Sequence, residues 1–246
     1  MRVDLWSDVS CPWCYIGKTR FEKALAVFPD RDAVEVAHRS FQLNPRLTRT
    51  RPAVGMAHAK KYGMTVARIR VTEERLAAMA KKEGLGYLVN FRDHGNTFDL
   101  HRLLRLAGVH GLDDELLTLF YEGNFASERS IYDADHQVEL AVRAGLDPSE
   151  VRAVLADKHA YAEEVRRDEE EGVDLGITGV PFLVIDRRYG VSGAQPDEVF
   201  TEALKQAWAD RRVGLTALEA SDRGRATQTN LVTSRTEWDR TEPRAP

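Results

Sequence analysis

The chain is poor in cysteine: Cys11 and Cys14 are the only two among 246 residues. That scarcity excludes a secreted disulfide scaffold, which would carry more cysteines spread along the chain. It also argues against structural zinc, which usually takes four Cys or His ligands; a mixed site would have to recruit two of the seven scattered histidines. No apolar run approaches the ~20 residues of a membrane-spanning helix. Nor does an apolar stretch follow Arg2 as in a signal peptide, and cleavage at ~15–30 residues would remove both cysteines. A cytoplasmic location is therefore expected. Charge of one sign is not in excess either: the net charge is −4, with 43% hydrophobic and 30% charged residues. This is an ordinary globular balance with no electrostatic reason to expect nucleic acid or a membrane as partner. There is no internal repeat.

The hydrophobic pattern predicts a strand over residues 2–7 and a helix over 12–28. Pro12 falls near the first helical position, where its missing N–H is harmless. Val34 to Phe41 reads as a second strand, and Pro45 and Pro52 punctuate the loop after it. From about Ala53 to Lys158 the periodicity is helical, with segments at Val71–Glu83, Phe98–Ala107, Asp113–Tyr121, Ala134–Ala144 and Ser149–Asp157. Asp147-Pro148-Ser149-Glu150 is a helix start with Asp as N-cap. Gly84, Gly108, Gly111, Gly145 and Gly176 stand where helices should stop. The charged run Glu163 to Glu171 reads as one solvated helix face, and Met56, Met64 and Met79 as packing residues.

After Gly176 the pattern changes. Phe182-Leu183-Val184-Ile185, the turn Asp186-Arg187-Arg188 and Tyr189 to Ser192 form a predicted hairpin. Pro196 to Ala209 is a last amphipathic helix. Beyond about Val213 the chain is polar and reads as a flexible tail, which Leu231, Val232 and Trp238 could dock. Strands at both ends with helices between suggest one α/β unit, residues 1–52 and 159–212, interrupted by a helical insertion at 53–158 and followed by the tail at 213–246.

A C-x-x-C beside a β-to-α transition in an intracellular chain reads as a redox pair; the bland reading is two inert neighbouring cysteines. Cys11 falls at a helix N-terminus, where unpaired N–H groups and the helix dipole favour a thiolate. Cys11 is therefore expected near the rim, as the attacking sulfur. Cys14 shares a helical face with Gly17, Phe21, Ala24, Leu25 and Phe28 and is expected to be buried against the sheet. The asymmetry suits a two-step exchange in which Cys11 forms a mixed disulfide and Cys14 resolves it. Pro12 and Trp13 tune the pair, and Trp13 could offer an aromatic surface to a partner.

Gly179-Val180-Pro181-Phe182 is a second marker. A proline before a buried strand lacks a ladder donor. Taken alone it reads as an ordinary trans strand-start proline; a cis Val180–Pro181 bond would instead leave the backbone of Val180 free to pair with a partner segment.

Val3–Trp6, Cys11-Pro12-Trp13-Cys14 and the distant Gly179-Val180-Pro181-Phe182 together resemble the DsbA family. Three stretches narrow the resemblance to its FrnE-like branch of cytoplasmic bacterial proteins: Trp6 to Gly17, Asn96-Thr97-Phe98-Asp99-Leu100-His101-Arg102, and Val191-Ser192-Gly193-Ala194-Gln195-Pro196. The likeness spans about residues 2–210. It implies an α/β thioredoxin fold with a large all-helical insertion, Cys11 as nucleophile, Cys14 as resolving cysteine, and cis-Pro181 facing the pair in substrate docking beside Pro12, Trp13 and Val180. It also implies protein or small-molecule disulfides and thiols as partners. No bound cofactor is expected beyond the redox-active Cys11–Cys14 disulfide, with a low-molecular-weight thiol as co-substrate. The sequence departs from periplasmic DsbA in carrying Pro12-Trp13 between its cysteines, so an oxidising role is not carried over; a cytosolic poise favours reduction.

Asn96 and His101 are candidates to line the cleft beside the pair; the alternatives are a helix cap and a helix-surface histidine. Gly193-Ala194-Gln195 could hold the carboxylate of a small thiol at a helix start, or merely cap it. The leading expectation is a thiol–disulfide oxidoreductase. The alternative is a glutathione- or other thiol-dependent isomerase or transferase acting on a small aromatic or polyketide-like substrate. Retention of Cys14 argues against that alternative, since a transferase needs no resolving thiol. A third reading is a non-catalytic chaperone-like binder.

Overall fold

A computed structural model describes residues 1–47, 65–89 and 93–220. Pro52, Met56, Met64, Leu231, Val232 and Trp238 lie outside the described residues.

Four strands form one mixed sheet in the order β2-β1-β3-β4: β1 (Arg2–Ser7), β2 (Glu35–Ser40), β3 (Phe182–Ile185) and β4 (Tyr189–Ser192). β1 runs parallel to β2, with Val3 opposite Val36, and antiparallel to β3, with Val3 opposite Ile185. β3 and β4 form the antiparallel hairpin read from the sequence. The two-residue alternation of β1 sets the layers. Val3 and Leu5 face one side, where they meet Phe21 and Ala24 of α1 (Pro12–Ala26), Phe28 just after it, and Phe200 and Leu204 of α8 (Asp197–Ala220). Asp4 and Trp6 face the other side. Trp6 packs with Ile177 and Val184, and its indole N–H donates to the Asp168 carbonyl of α7 (Ala162–Asp174) at 2.8 Å. A Cβ on Gly172 would lie 3.0 Å from the Trp6 Nε1, so glycine is what lets α7 sit this close.

Between β2 and α7 the described residues add α2 (Val66–Lys82), α3 (Phe98–Val109), α4 (Asp113–Phe125), α5 (Ala134–Arg143) and α6 (Pro148–Ala156). Leu100, Leu103, Leu116, Leu117, Phe120, Leu140 and Val151 build one continuous core among them. Asp147 caps α6 as its sequence indicates, accepting from the backbone N–H groups of Ser149 and Glu150. Gly108 does not stop α3; the helix runs one residue further to Val109.

Two expectations are corrected. The run Glu163 to Glu171 is not simply a solvated face, because Asp168 is buried. β2 is an edge strand with free backbone donors. Asp168 accepts from the Ser40 N–H at 2.9 Å and from Arg39 at 2.9 Å and pairs with Arg105 at 3.2 Å, while Glu169 accepts from the Gln42 N–H at 3.0 Å. The last helix does not end at Ala209 but continues to Ala220, across the first residues of the predicted tail. A lone Gly214 costs only about 1 kcal/mol in a helix and does not terminate it.

Candidate active site

The turn from β1 into α1 carries both cysteines, and both are free thiols. Cys11 is the N-cap of α1 with extended backbone, and its carbonyl accepts from the N–H groups of Cys14 and Tyr15. Pro12 occupies the first turn, where the helix needs no N–H. Cys11 does not lie at the rim: it is 3% exposed, against 1% for Cys14. Burial comes from a segment 169 residues away, since the Cys11 thiol donates to the Val180 carbonyl at 3.6 Å. Cys14 likewise does not face the sheet. It packs with Val9, Tyr15, Leu100, Tyr121 and Phe125 in the helical core, whereas Phe21 and Ala24 of α1, with Phe28 just after it, take the sheet side.

What separates the two sulfurs is their surroundings. Burial pushes the Cys14 thiol well above its ordinary value, and the hydrogen bond and charge of Cys11 push it further. Tyr121 is raised by the same burial and then by the charge of Cys14. Tyr15 is pushed up to about 12 by burial and by Glu122.

The Val180–Pro181 peptide bond is cis. The proline ring approaches α1 at Gly17, where an added Cβ would lie 3.0 Å from Pro181 Cγ and 3.3 Å from Ala194. Pro181 is tied to the loop after β4 by its carbonyl, which accepts from Gly193 N–H at 2.8 Å. Arg20 donates to the Ala194 carbonyl at 2.7 Å and pairs with Glu83 at 2.7 Å, joining α1, this loop and α2. Gly193 and Gln195 thus have their N–H groups engaged, Gly193 by Pro181 and Gln195 by the Gly193 carbonyl at 2.9 Å. Trp13 is half-buried against Ile16, Leu85 and Tyr87.

The fold brings together Cys11, Pro12, Trp13, Cys14, Val180 and Pro181. It does not bring Asn96 into that group as an open side chain. Asn96 Oδ1 accepts from the Phe98 N–H at 2.8 Å and from Gln42 at 2.9 Å, and its Nδ2 donates to the Pro45 carbonyl at 2.6 Å. It lies one residue before the N-cap Thr97, holds the first N–H of α3 and pins the loop after β2. Neighbouring Arg102 is also structural: wholly buried, it donates to the carbonyls of Val154 in the last turn of α6 and of Asp157 and Ala160 beyond it. His101 is not a surface histidine. It is 1% exposed, with Nε2 3.6 Å from Oδ1 of Asp8, which is equally buried. Asp8 lies three residues before Cys11; in the sequence a polar residue after a strand reads as loop, and only the fold brings the N–H groups of Ser10 and Leu43 onto its carboxylate. Among the described residues no group of three or more His, Cys, Asp or Glu side chains is placed to hold a metal ion.

The insertion is fastened directly to this turn. Asn124 of α4 donates to the Val9 carbonyl at 2.9 Å, and the Tyr15 ring stacks on Tyr121 and Phe125 with centroids 5.4 Å away in each case.

Residues 2–205 match the family described as the DSBA-like thioredoxin domain. A probable DsbA oxidoreductase of Streptomyces coelicolor is 55% identical, with a TM-score of 0.81 over 93% of each chain. YwbO of Bacillus subtilis, an uncharacterized protein, is 27% identical over 218 residues, or 83% of this chain and 96% of that one. The cytosolic disulfide reductase DsbM of Pseudomonas aeruginosa shares the fold alone: 16% identity and a TM-score of 0.59, over 85% of this chain and 99% of the other. The chain therefore belongs to the DSBA-like thioredoxin domain family and has the thioredoxin fold with its helical insertion between the parallel and antiparallel halves of the sheet.

Proposed function

We propose that the protein is a cytoplasmic, FrnE-like thiol–disulfide oxidoreductase that exchanges disulfides with protein or small-thiol substrates. The observation that carries this reading is the placement of two free thiols around one helix start. One is hydrogen-bonded to the backbone carbonyl before Pro181, and the other is held in the core with its thiol raised by burial.

Cys11 is the nucleophile. Its thiolate attacks a substrate disulfide, an S–S bond forms between Cys11 and one substrate sulfur, and the other substrate sulfur leaves as a thiolate. Cys14 then loses its proton and attacks Cys11. The mixed disulfide breaks, the second substrate thiolate leaves, and two electrons have passed from the cysteine pair to the substrate. The reverse sequence oxidises a dithiol. Reduction of the Cys11–Cys14 disulfide by a low-molecular-weight thiol returns the enzyme, and a cytosolic poise favours the reducing direction. No bound cofactor takes part. The backbone at Val180 and Pro181 is the docking edge for an extended substrate segment, which displaces the Val180 cover from Cys11; Pro12 and Trp13 flank that segment.

Turnover of a disulfide-bonded peptide with excess glutathione tests the proposal. Wild type should turn over, and Cys11→Ser should not. Full glutathione-dependent isomerase activity on a small aromatic substrate after Cys14→Ser, with no peptide disulfide exchange by the wild type, would overturn it in favour of a thiol-dependent isomerase.

A further inference from the structure

We propose that the cleft between the loop after α2, the end of α4 and α5 is a binding site for a free α-amino acid whose side chain ends in an amide or a hydroxyl. Glu122 and Arg143 hold its ammonium and carboxylate, and Tyr15 and His136 read the tip of its side chain. Tyr15 follows Cys14 in the chain, but neither cysteine lines the cleft.

The cleft has a volume of about 300 Å³, at the small end of the range for ligand pockets and enough for a molecule of amino-acid size. Its walls are closely packed. A Cβ on Gly123 would lie 2.7 Å from Leu140, and one on Gly86 would lie 2.8 Å from Ala126. Four polar groups from three elements meet there: Tyr15 from α1, Glu122 from α4, and His136 and Arg143 from α5.

Two of the four are interior. Tyr15 is 3% exposed and His136 is 4% exposed. His136 Nδ1 meets the Ser130 carbonyl at 3.0 Å, so it carries the ring proton, and the neutral ring keeps a lone pair on Nε2. Among the described residues nothing bonds to that Nε2 or to the Tyr15 hydroxyl. Neither atom is sealed in the core, where a missing partner would be a standing cost. Each opens on the cleft its residue lines. Burial and the charge of Glu122 push the Tyr15 hydroxyl up to about 12, so it keeps its proton and donates. The interior therefore offers one donor and one acceptor. An amide or a hydroxyl satisfies both, accepting from Tyr15 and donating to His136. A carboxylate has no proton to donate, and an aliphatic tip does neither.

The other two groups stand at the mouth. Glu122 and Arg143 are exposed and opposite in charge, yet among the described residues neither forms an ion pair with the other or with any third group. They leave an anionic and a cationic anchor around one opening. The ammonium and carboxylate on the α-carbon of an amino acid take both anchors at once, through charge-assisted hydrogen bonds. Its side chain then runs inward past Leu85 and Leu140. A simple anion would gain Arg143 but meet repulsion from Glu122, and a simple cation the reverse.

The test titrates full-length protein with L-asparagine, L-glutamine, L-serine and L-threonine by calorimetry. At least one should bind one-to-one, and saturation should shift the ¹⁵N signal of His136 Nε2. For that ligand Tyr15→Phe, which keeps the ring stacked on Tyr121 and Phe125, should weaken binding by about tenfold. Glu122→Gln and Arg143→Gln, at exposed positions that leave the core intact, should each weaken it by about as much. L-Leucine, which lacks the polar tip, should bind about tenfold more weakly than the best of the four. No saturation by any of the four at millimolar concentration overturns the proposal. So does binding that all three variants leave unchanged, or that leucine matches. None of these outcomes depends on disulfide exchange, so the amino-acid site and the proposed activity stand or fall separately.

Discussion

The side chain of Asn124 donates to the carbonyl of Val9 across 2.9 Å of space and 115 residues of chain. This bond ties α4 of the insertion to the turn that presents Cys11. Both partners are buried, so Asn124→Ala leaves a carbonyl without its donor, at about 1–3 kcal/mol. Thermal or urea unfolding should show that loss. Faster amide hydrogen exchange at Ser10 and Cys11 should accompany it, since the turn loses its outer support.

Gly17 sits where Pro181 and Ala194 come closest to α1. In Gly17→Ala the new methyl meets Pro181 Cγ at 3.0 Å and the Ala194 backbone and methyl at 3.3 Å. Neither neighbour is the end of a flexible side chain. Overpacking of this kind costs about 1–3 kcal/mol. The displacement falls on the Val180 carbonyl that meets Cys11, so the variant should lose exchange rate with a peptide disulfide beyond its loss of stability. A small aryl disulfide, which needs less of the docking edge, should be affected less.

Asp114 of α4 lies opposite two buried cationic or titratable groups, His38 Nε2 at 2.8 Å and Lys18 Nζ at 3.0 Å. The hydrogen bond from His38 and the charge of Lys18 outweigh its partial burial and hold the Asp114 carboxyl well below its ordinary value of 3.8. A carboxylate lowered on folding stabilises the native state above the unfolded value, and that contribution drains away as pH falls below about 4. Asp114→Asn should therefore lower stability at neutral pH and flatten its decline in acid. Because the Asp114 side chain is largely open to water, screening keeps the neutral-pH loss to about 1 kcal/mol. Urea titrations of both proteins at neutral and acid pH provide the comparison.

Much of this architecture is legible in the sequence because its signals are local. Cys11-Pro12-Trp13-Cys14 announces itself by spacing, Asp147 by its place before Pro148, and the hairpin by the apolar run Phe182 to Ile185 beside its turn. What is not legible depends on partners far along the chain. Asp168 looks solvated in a charged run until the register of β2 puts the Ser40 N–H and Arg39 against it. Cys11 reads as exposed from its own helix start, and only the arrival of Val180 covers it. Asn96 carries the residue type of a ligand-binding group, yet its oxygen and nitrogen are committed to Gln42, Phe98 and Pro45. His101 is indistinguishable in sequence from a surface histidine; its position follows from which face of α3 meets the turn at Asp8.

The central claim is that Cys11 attacks and Cys14 resolves, and covalent trapping tests it most directly. Each single Cys→Ser variant is incubated with a disulfide-bonded peptide, and adducts are read by intact-mass spectrometry. Cys14→Ser should accumulate a mixed disulfide on Cys11, while Cys11→Ser should accumulate none. Equal trapping by the two variants, or trapping through Cys14 alone, would contradict the account.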